Sequence, residues 1–182
     1  MDAIGDRTDV VLVAQSMGGF TAPLVVDRVP QRVRLLVLFN AMVPEPGEAP
    51  GEYWGRTRHR QARLAQAARE GYDIDADEDM IASMFHDVPA GVKAEAFALG
   101  EPEQAWTPME ADWPLAAWPD VETRFLQGRD DRFFPLEYQR EVVRARLGIA
   151  VDEVPGGHLA ALSRPVEVAA RLEAYASGAA GS

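Results

Sequence analysis

Residues 14–18, with the sequence Ala-Gln-Ser-Met-Gly, constrain this chain more than any other segment. The run Asp9–Ala14 that leads into them is β-branched and lacks polar alternation, which is typical of a strand buried on both faces. A helix is predicted from Phe20 to about Val29. The segment has the form G-x-S-x-G with alanine for the first glycine, and a sharp strand-to-helix turn requires small residues at both flanking positions. The pattern predicts that Ser16 is a nucleophile at the apex of such a turn.

Further buried strands and helices alternate along the chain. Strands are predicted at Arg34–Phe39, Val121–Leu126 and Ala150–Val154, with helices over roughly 135–146 and from Pro165 to Ala176. Two buried strands joined by a helix form a βαβ unit, and repeated units form a parallel sheet. The sequence predicts an α/β fold with a mostly parallel sheet of about four strands flanked by helices.

Residues 44–118 lack the strand patterns of the rest of the chain and are predicted to be a helical cap insertion. Helical patches fall near 56–70, 76–85 and 90–99, and no convincing strand appears between them. The predicted core then comprises 1–43 and 119–177, and 178–182 form a flexible tail. All four tryptophans lie in the insertion, where they either line an apolar substrate pocket or join the insertion to the core; they are Trp54, Trp106, Trp113 and Trp118.

Composition excludes several classes of function. The net charge is −11 and the basic residues are scattered between carboxylates, which argues against a nucleic-acid or anionic-membrane surface. The chain has no cysteine, so disulfides and thiolate catalysis are excluded. It shows neither a signal peptide nor an apolar run long enough to span a membrane. We expect a soluble cytoplasmic protein.

A serine nucleophile needs a base, and the base needs a third group to orient it. The chain has three histidines. His59 stands among arginines and is expected on a solvated helix face, and His86 at a helix end is expected to be a capping or structural residue. His158 follows a predicted strand through a Gly-Gly turn, at the sheet edge where catalytic groups gather. We expect His158 to be the base.

The third group is expected after a strand that lies between Ser16 and His158. The loop 128–135 supplies two neighbouring candidates, Asp130 and Asp131, and the residues alone do not distinguish them. The other strand end offers Asn40 without an adjacent carboxylate.

Three segments, Val10–Phe20, Gly128–Pro135 and Val154–Pro165, resemble those of the α/β-hydrolase superfamily. They are most similar to small esterases related to plant methyl esterases and hydroxynitrile lyases. The acid loop of those proteins reads G-x-x-D-x-x-x-P, which implies that Asp131 is the acid. Residues 38–48 also resemble the start of the family's cap.

This resemblance implies hydrolysis of a small carboxylic ester or lactone through an acyl-enzyme, without metal or cofactor. Ser16, His158 and Asp131 would form the catalytic triad, and the backbone N–H of Met17 would be one oxyanion donor. Hydroxynitrile lyases have a lysine directly after the histidine, whereas this chain has Leu159, so ester hydrolysis is favoured over lyase chemistry. A cofactor-free perhydrolase or haloperoxidase would use the same triad. A further alternative is an inactive or partner-dependent fragment.

A second oxyanion donor is expected from a loop that precedes the nucleophile strand. Nine residues stand before Val10, and Asp2–Arg7 among them are predicted to end a helix. We therefore expect a truncated chain that lacks about four front strands, on the order of 60–90 residues at ~30 per βαβ unit. The nucleophile strand would then be an exposed edge through which the chain could associate with itself.

Overall fold

A single parallel sheet forms the centre of the computed structural model, which describes residues 3–74, 80–100, 103 and 105–178. Its strands, in spatial and in chain order, are β1 (Val10–Gln15), β2 (Val33–Phe39), β3 (Glu122–Gly128) and β4 (Val151–Val154). Neighbouring strands pair in parallel; Leu12 lies opposite Leu36, and Leu38 opposite Phe125. The predicted parallel sheet is confirmed, with strand ends displaced by one or two residues.

Helices cover both faces of this sheet. In chain order they are α1 (Gly18–Arg28), α2 (Pro50–Arg56), α3 (His59–Glu70), α4 (Met80–Phe85), α5 (Ala90–Ala98), α6 (Thr107–Glu110), α7 (Leu136–Leu147), α8 (Ala160–Ser163) and α9 (Pro165–Ala176). The cluster that contains Leu36 and Leu38 packs against α1 and α7, whereas Leu35 and Val37 pack against α8 and α9. Because β2 is buried on both faces, its sequence is a continuous apolar run.

Helices α2 to α6 lie between β2 and β3, and the described residues of this stretch contain no strand. A buried ion pair fixes its beginning to the core. Glu48 is fully buried, and its Oε1 lies 2.9 Å from Nη2 of Arg146 in α7. The same guanidinium lies 5.0 Å from the ring centroid of Tyr53 in α2. The limits 44–118 of the cap insertion stay a prediction.

The structure corrects the predicted beginning of the chain. Among the described residues, 3–6 form turns rather than the end of a helix over Asp2–Arg7. Gly5 has a φ of 52°, a left-handed conformation that interrupts a right-handed helix. The first helix also begins earlier than predicted, at Gly18 instead of Phe20. Residues 76–79 of the predicted helical patch 76–85, and most of the predicted tail 178–182, lie outside the described residues.

The cellular location of the protein and its self-association remain predictions. Within the described part of the chain, no helix combines the length and the apolar character needed to cross a membrane; the cytoplasmic location stays untested. In the described sheet, β1 pairs on one side only, with β2. Self-association through its other edge would appear as a sedimentation coefficient that rises with protein concentration.

Gly19, in the first turn of α1, provides a test of how closely this helix approaches the end of β2. A Cβ at position 19 would lie 1.8 Å from the carbonyl oxygen of Met42. A Cβ at position 18 would lie 3.5 Å from the Cβ of Ala14, which is an ordinary contact. We expect Gly19→Ala to lower the free energy of unfolding by more than about 4 kcal/mol or to prevent folding. The matched variant Gly18→Ala should stay within about 1 kcal/mol of the parent in urea unfolding. Equal stabilities of the two variants would contradict this packing.

Candidate active site

Ser16 lies at the turn between β1 and α1 in a left-handed conformation, with a φ of 54°. A residue other than glycine in this region costs about 1–3 kcal/mol and persists only where its surroundings enforce it. Here the Ser16 N–H donates to the carbonyls of Phe39 and Asn40, at 3.3 and 3.2 Å. The Ser16 carbonyl accepts the N–H of Met42 at 3.0 Å. The end of β2 therefore enforces the sharp turn that the motif predicts.

His158 follows β4 and places its imidazole beside this turn. Its Nε2 lies 3.2 Å from Oγ of Ser16. The residue is 1% exposed, and its ring contacts the edges or faces of Phe133 and Phe134 with centroid distances of 4.9 and 5.2 Å. The two phenyl rings exclude water from the imidazole and restrict its orientation.

Asp131 lies on the other side of the imidazole, with Oδ2 2.9 Å from Nδ1 of His158. Its Oδ1 accepts the N–H groups of Phe133 and Phe134 at 2.7 and 2.8 Å, and the residue is fully buried. The carboxylate is thus fixed so that it accepts a hydrogen bond from Nδ1–H and leaves Nε2 facing the serine. Asp130, by contrast, is exposed and accepts the N–H of Gly156 at 3.0 Å.

Asn40 holds together loops of the candidate site, whereas the sequence drew attention to it only as a strand end without an adjacent carboxylate. It is fully buried and has a φ of 44°. Its Oδ1 accepts the N–H of Gly128 at 2.6 Å, and its Nδ2 donates to the carbonyls of Gly157 and His158 at 3.1 and 2.8 Å. A polar residue directly after an apolar buried strand was the available signal, because asparagine tolerates the left-handed conformation.

The expectation that His59 lies on a solvated helix face is wrong. It is 6% exposed, and its Nε2 donates to the carbonyl of Phe133 at 2.6 Å. Burial lowers its pKa to about 4, so the ring is neutral at neutral pH. The buried residues of α3 recur with helical spacing at His59, Arg63, Gln66 and Ala67. This helical spacing was the sequence signal for the burial of His59, but the arginines that flank His59 concealed it.

A cavity of about 390 Å³ lies against Ser16. Its lining residues are uncharged: Ser16, Met17, Met42, Trp54, Met80, Met84, Ala105, Trp106, Met109 and Phe133. Five of the six methionines in the chain are therefore in this wall; the sixth, Met1, is outside the described residues. Thioethers are flexible and polarizable, so such a wall adapts to apolar groups of different shape.

The four tryptophans of the cap insertion divide into two pairs. Trp54 and Trp106 line the cavity, in agreement with the expectation that tryptophans line an apolar pocket. The pocket expectation is wrong for Trp113 and Trp118. Trp113 is 3% exposed and donates from Nε1 to the carbonyl of Phe20, and Trp118 donates to Oγ1 of Thr123, each at 3.1 Å. These two side chains join the insertion to the core.

Neither His86 nor Lys93 is among the residues that line the cavity at Ser16. His86 directly follows α4, at the helix end where a structural role is expected. Lys93, the one lysine of the sequence, has its Nζ 5.8 and 5.7 Å from the ring centroids of Phe85 and Phe97. Among the residues that the structure describes, no three His, Asp or Glu side chains cluster in a way that could hold a metal ion.

Comparison with known proteins agrees with this architecture. A family model described as the alpha/beta hydrolase family matches residues 1–171. The chain belongs to the alpha/beta hydrolase family. The superfamily resemblance inferred from the turn, the acid loop and the histidine loop is thereby confirmed.

Individual proteins resemble this chain at identities of 30% or less. Methylesterase 3 of Arabidopsis thaliana is 30% identical over 63 residues, a match that covers 35% of this chain and 24% of that protein. An extracellular alpha/beta-hydrolase from a Paenibacillus species superposes with a TM-score of 0.70 at 22% identity, covering 96% of this chain and 75% of that one. Polyneuridine aldehyde esterase superposes with a TM-score of 0.69 at 19% identity, covering 94% and 72%. At these identities the structures show a shared fold.

The buried, neutral His59 predicts a loss of stability in acid. Its pKa is 6.5 in the unfolded chain and about 4 in the folded protein, so the unfolded chain binds more protons between these values. This contribution is present above pH 6.5 and is lost as the pH falls towards 4, by about 3 kcal/mol in all. We expect His59→Gln, which retains a donor for the Phe133 carbonyl, to be less destabilised on acidification. Urea unfolding at several pH values measures both slopes; identical slopes would contradict the assignment.

Proposed function

We propose that this chain is a serine hydrolase that cleaves a small carboxylic ester or lactone with an apolar group, through an acyl-enzyme. The observation that carries the proposal is the continuous arrangement of Ser16 Oγ, the His158 imidazole and the Asp131 carboxylate, at 3.2 and 2.9 Å, against an apolar cavity. Membership of the alpha/beta hydrolase family and the local similarity to a methylesterase support it.

In the proposed acylation step, Nε2 of His158 takes the proton of Ser16 while Oγ attacks the ester carbonyl carbon. Asp131 accepts a hydrogen bond from Nδ1 and stabilises the imidazolium that forms. The imidazolium then returns its proton to the leaving alcohol oxygen as the carbon–oxygen bond breaks. In deacylation the same nitrogen takes a proton from water as the water oxygen attacks the acyl carbon. The imidazolium then gives this proton to Oγ of Ser16 as the carbon–Oγ bond breaks and the carboxylic acid leaves.

Negative charge on the former carbonyl oxygen needs stabilisation in both steps. We propose the backbone N–H of Met17 as one donor, because Met17 immediately precedes α1 at its N-terminal end. The dipole of the eleven-residue helix favours negative charge at this end. The donor and the nucleophile are adjacent in the chain, so the same turn positions both.

The lining of the cavity favours a substrate whose bound group is uncharged. Its wall holds five thioethers and three aromatic rings and, among the lining residues, no charged side chain. An ionised group would lose its hydration there without gaining a partner. Adaptable methionines favour a range of apolar groups over one rigid shape.

The triad assignment is tested with p-nitrophenyl butyrate as substrate. Asp131→Asn should lower kcat by about 10⁴-fold, because an amide no longer favours the required imidazole tautomer. The neighbouring variant Asp130→Asn is the matched control and should keep activity within a few-fold. Ser16→Ala should abolish both turnover and labelling by a fluorophosphonate.

Other outcomes distinguish the alternatives. Full activity in Ser16→Ala would overturn the proposal. A folded protein that neither labels nor hydrolyses esters would favour the inactive or partner-dependent fragment. Peroxide-dependent acyl transfer or halide oxidation that exceeds ester hydrolysis would favour a perhydrolase or haloperoxidase.

Substrate preference tests the role of the cavity. We expect p-nitrophenyl hemisuccinate, which carries a carboxylate, to have a kcat/KM at least about a hundredfold below that of the butyrate ester. Trp106→Ala should raise KM for apolar esters, because Trp106 lines the cavity and is otherwise exposed. Trp118→Ala, outside the cavity, should lower thermal stability and leave KM near its original value. Equal hydrolysis of the charged and uncharged esters would contradict an apolar site.

A further inference from the structure

Side chains at the ends of two strands hold the loop 155–158, which carries His158. Nε2 of Gln15 donates to the His158 carbonyl at 3.2 Å. Nδ2 of Asn40 donates to the carbonyls of Gly157 and His158 at 3.1 and 2.8 Å. These bonds fix the loop from the side of the sheet.

A further side chain, Asp87, also contacts this loop. It lies between α4 and α5, in the predicted cap insertion. Its Oδ2 accepts the N–H of Gly157 at 2.8 Å and the hydroxyl of Ser163 at 2.7 Å. Hydrogen bonds to an ionised carboxylate are stronger than bonds between neutral groups. One oxygen therefore holds the residue before His158 and the last residue of α8.

The packing around Gly157 shows that this contact is close. A Cβ at position 157 would lie 2.6 Å from Nε2 of His86 and 2.7 Å from Oδ1 of Asp87. Both of these atoms are buried and lack a hydrogen-bond partner among the described residues. Unpaired buried polar groups cost stability. The contact between residues 86–87 and Gly157 is thus present although these two unpaired atoms lower the stability of the fold.

The helix that precedes Asp87 also forms part of the cavity wall. Met80 and Met84 of α4 line the cavity next to Ser16. The segment that lines the cavity and the segment that contacts the histidine loop are therefore continuous in the chain.

We propose that Asp87 is a positioning residue for the base: through Gly157 it holds His158 at hydrogen-bond distance from Ser16 and links the base to the cap insertion. Its kinetic consequence rests on the proposed ester hydrolysis. Small displacements of a catalytic group cause large losses in rate, because the reacting atoms leave their attack geometry. Substrate binding depends on the apolar cavity, so loss of Asp87 affects kcat more than KM.

Three variants of the full chain test this role. Asp87→Ala should lower kcat for p-nitrophenyl butyrate by about tenfold to a hundredfold, with KM changed by less than about twofold. Asp87→Asn keeps an amide oxygen that can accept the Gly157 N–H and should recover most of kcat. Ser163→Ala removes the other bond to Asp87 and should leave kcat unchanged. Full kcat in Asp87→Ala would overturn the inference.

Hydrogen–deuterium exchange gives a readout that needs no turnover. The Gly157 N–H donates to Asp87, so exchange in the peptide 155–163 should be about tenfold faster in Asp87→Ala, intermediate in Asp87→Asn and unchanged in peptides of the sheet. Unchanged exchange in 155–163 would overturn the inference. If the parent protein hydrolyses no ester, the proposed function fails, and the exchange result alone decides the role of Asp87.

Discussion

The side-chain amide of Asn40 joins the loops at the carboxyl ends of the strands, and the positions of the proposed triad side chains depend on it. Its Oδ1 accepts the N–H of Gly128, where the acid loop begins, and its Nδ2 donates to two carbonyls of the loop that carries His158. Its backbone carbonyl accepts the N–H of Ser16. Because Asn40 is fully buried, water could not replace these bonds if the amide were absent. One residue thereby fixes three loops relative to one another.

The strained turn at Ser16 is stable only because the neighbouring strand end supports it. The left-handed conformation of Ser16 is unfavourable in isolation, and hydrogen bonds to the chain that follows β2 hold it in place. The close approach of Gly19 to the Met42 carbonyl brings α1 against the same segment. Strain, support and helix packing are therefore parts of one local structure, and a change in any of them would move the serine.

The sequence contained most of the fold and the serine turn, because both depend on local patterns. Apolar runs such as β2 predict buried strands, and small residues around Ser16 predict a sharp turn. The choice between Asp130 and Asp131 could not be made from these patterns, since it depends on which carboxylate faces an imidazole that is 27 residues away in the chain. The same limit applies at His59, because the rings of Phe133, Phe134 and Tyr138 that pack against it belong to a distant segment of the chain. Local patterns predict elements, whereas contacts between distant residues determine the site.

The cavity wall and the proposed triad come largely from different stretches of the chain. Six of the ten lining residues belong to the predicted cap insertion, whereas the three residues of the proposed triad follow strands of the sheet. An ancestral sequence could therefore exchange side chains such as Trp54, Met80 or Trp106, and so acquire a new substrate range, without rebuilding the proposed triad. That evolutionary freedom ends at Asp87, because this residue belongs to the predicted insertion and yet contacts the loop that carries His158. Diversification of the insertion would thus tolerate change on its inward face and conserve the short segment that follows α4.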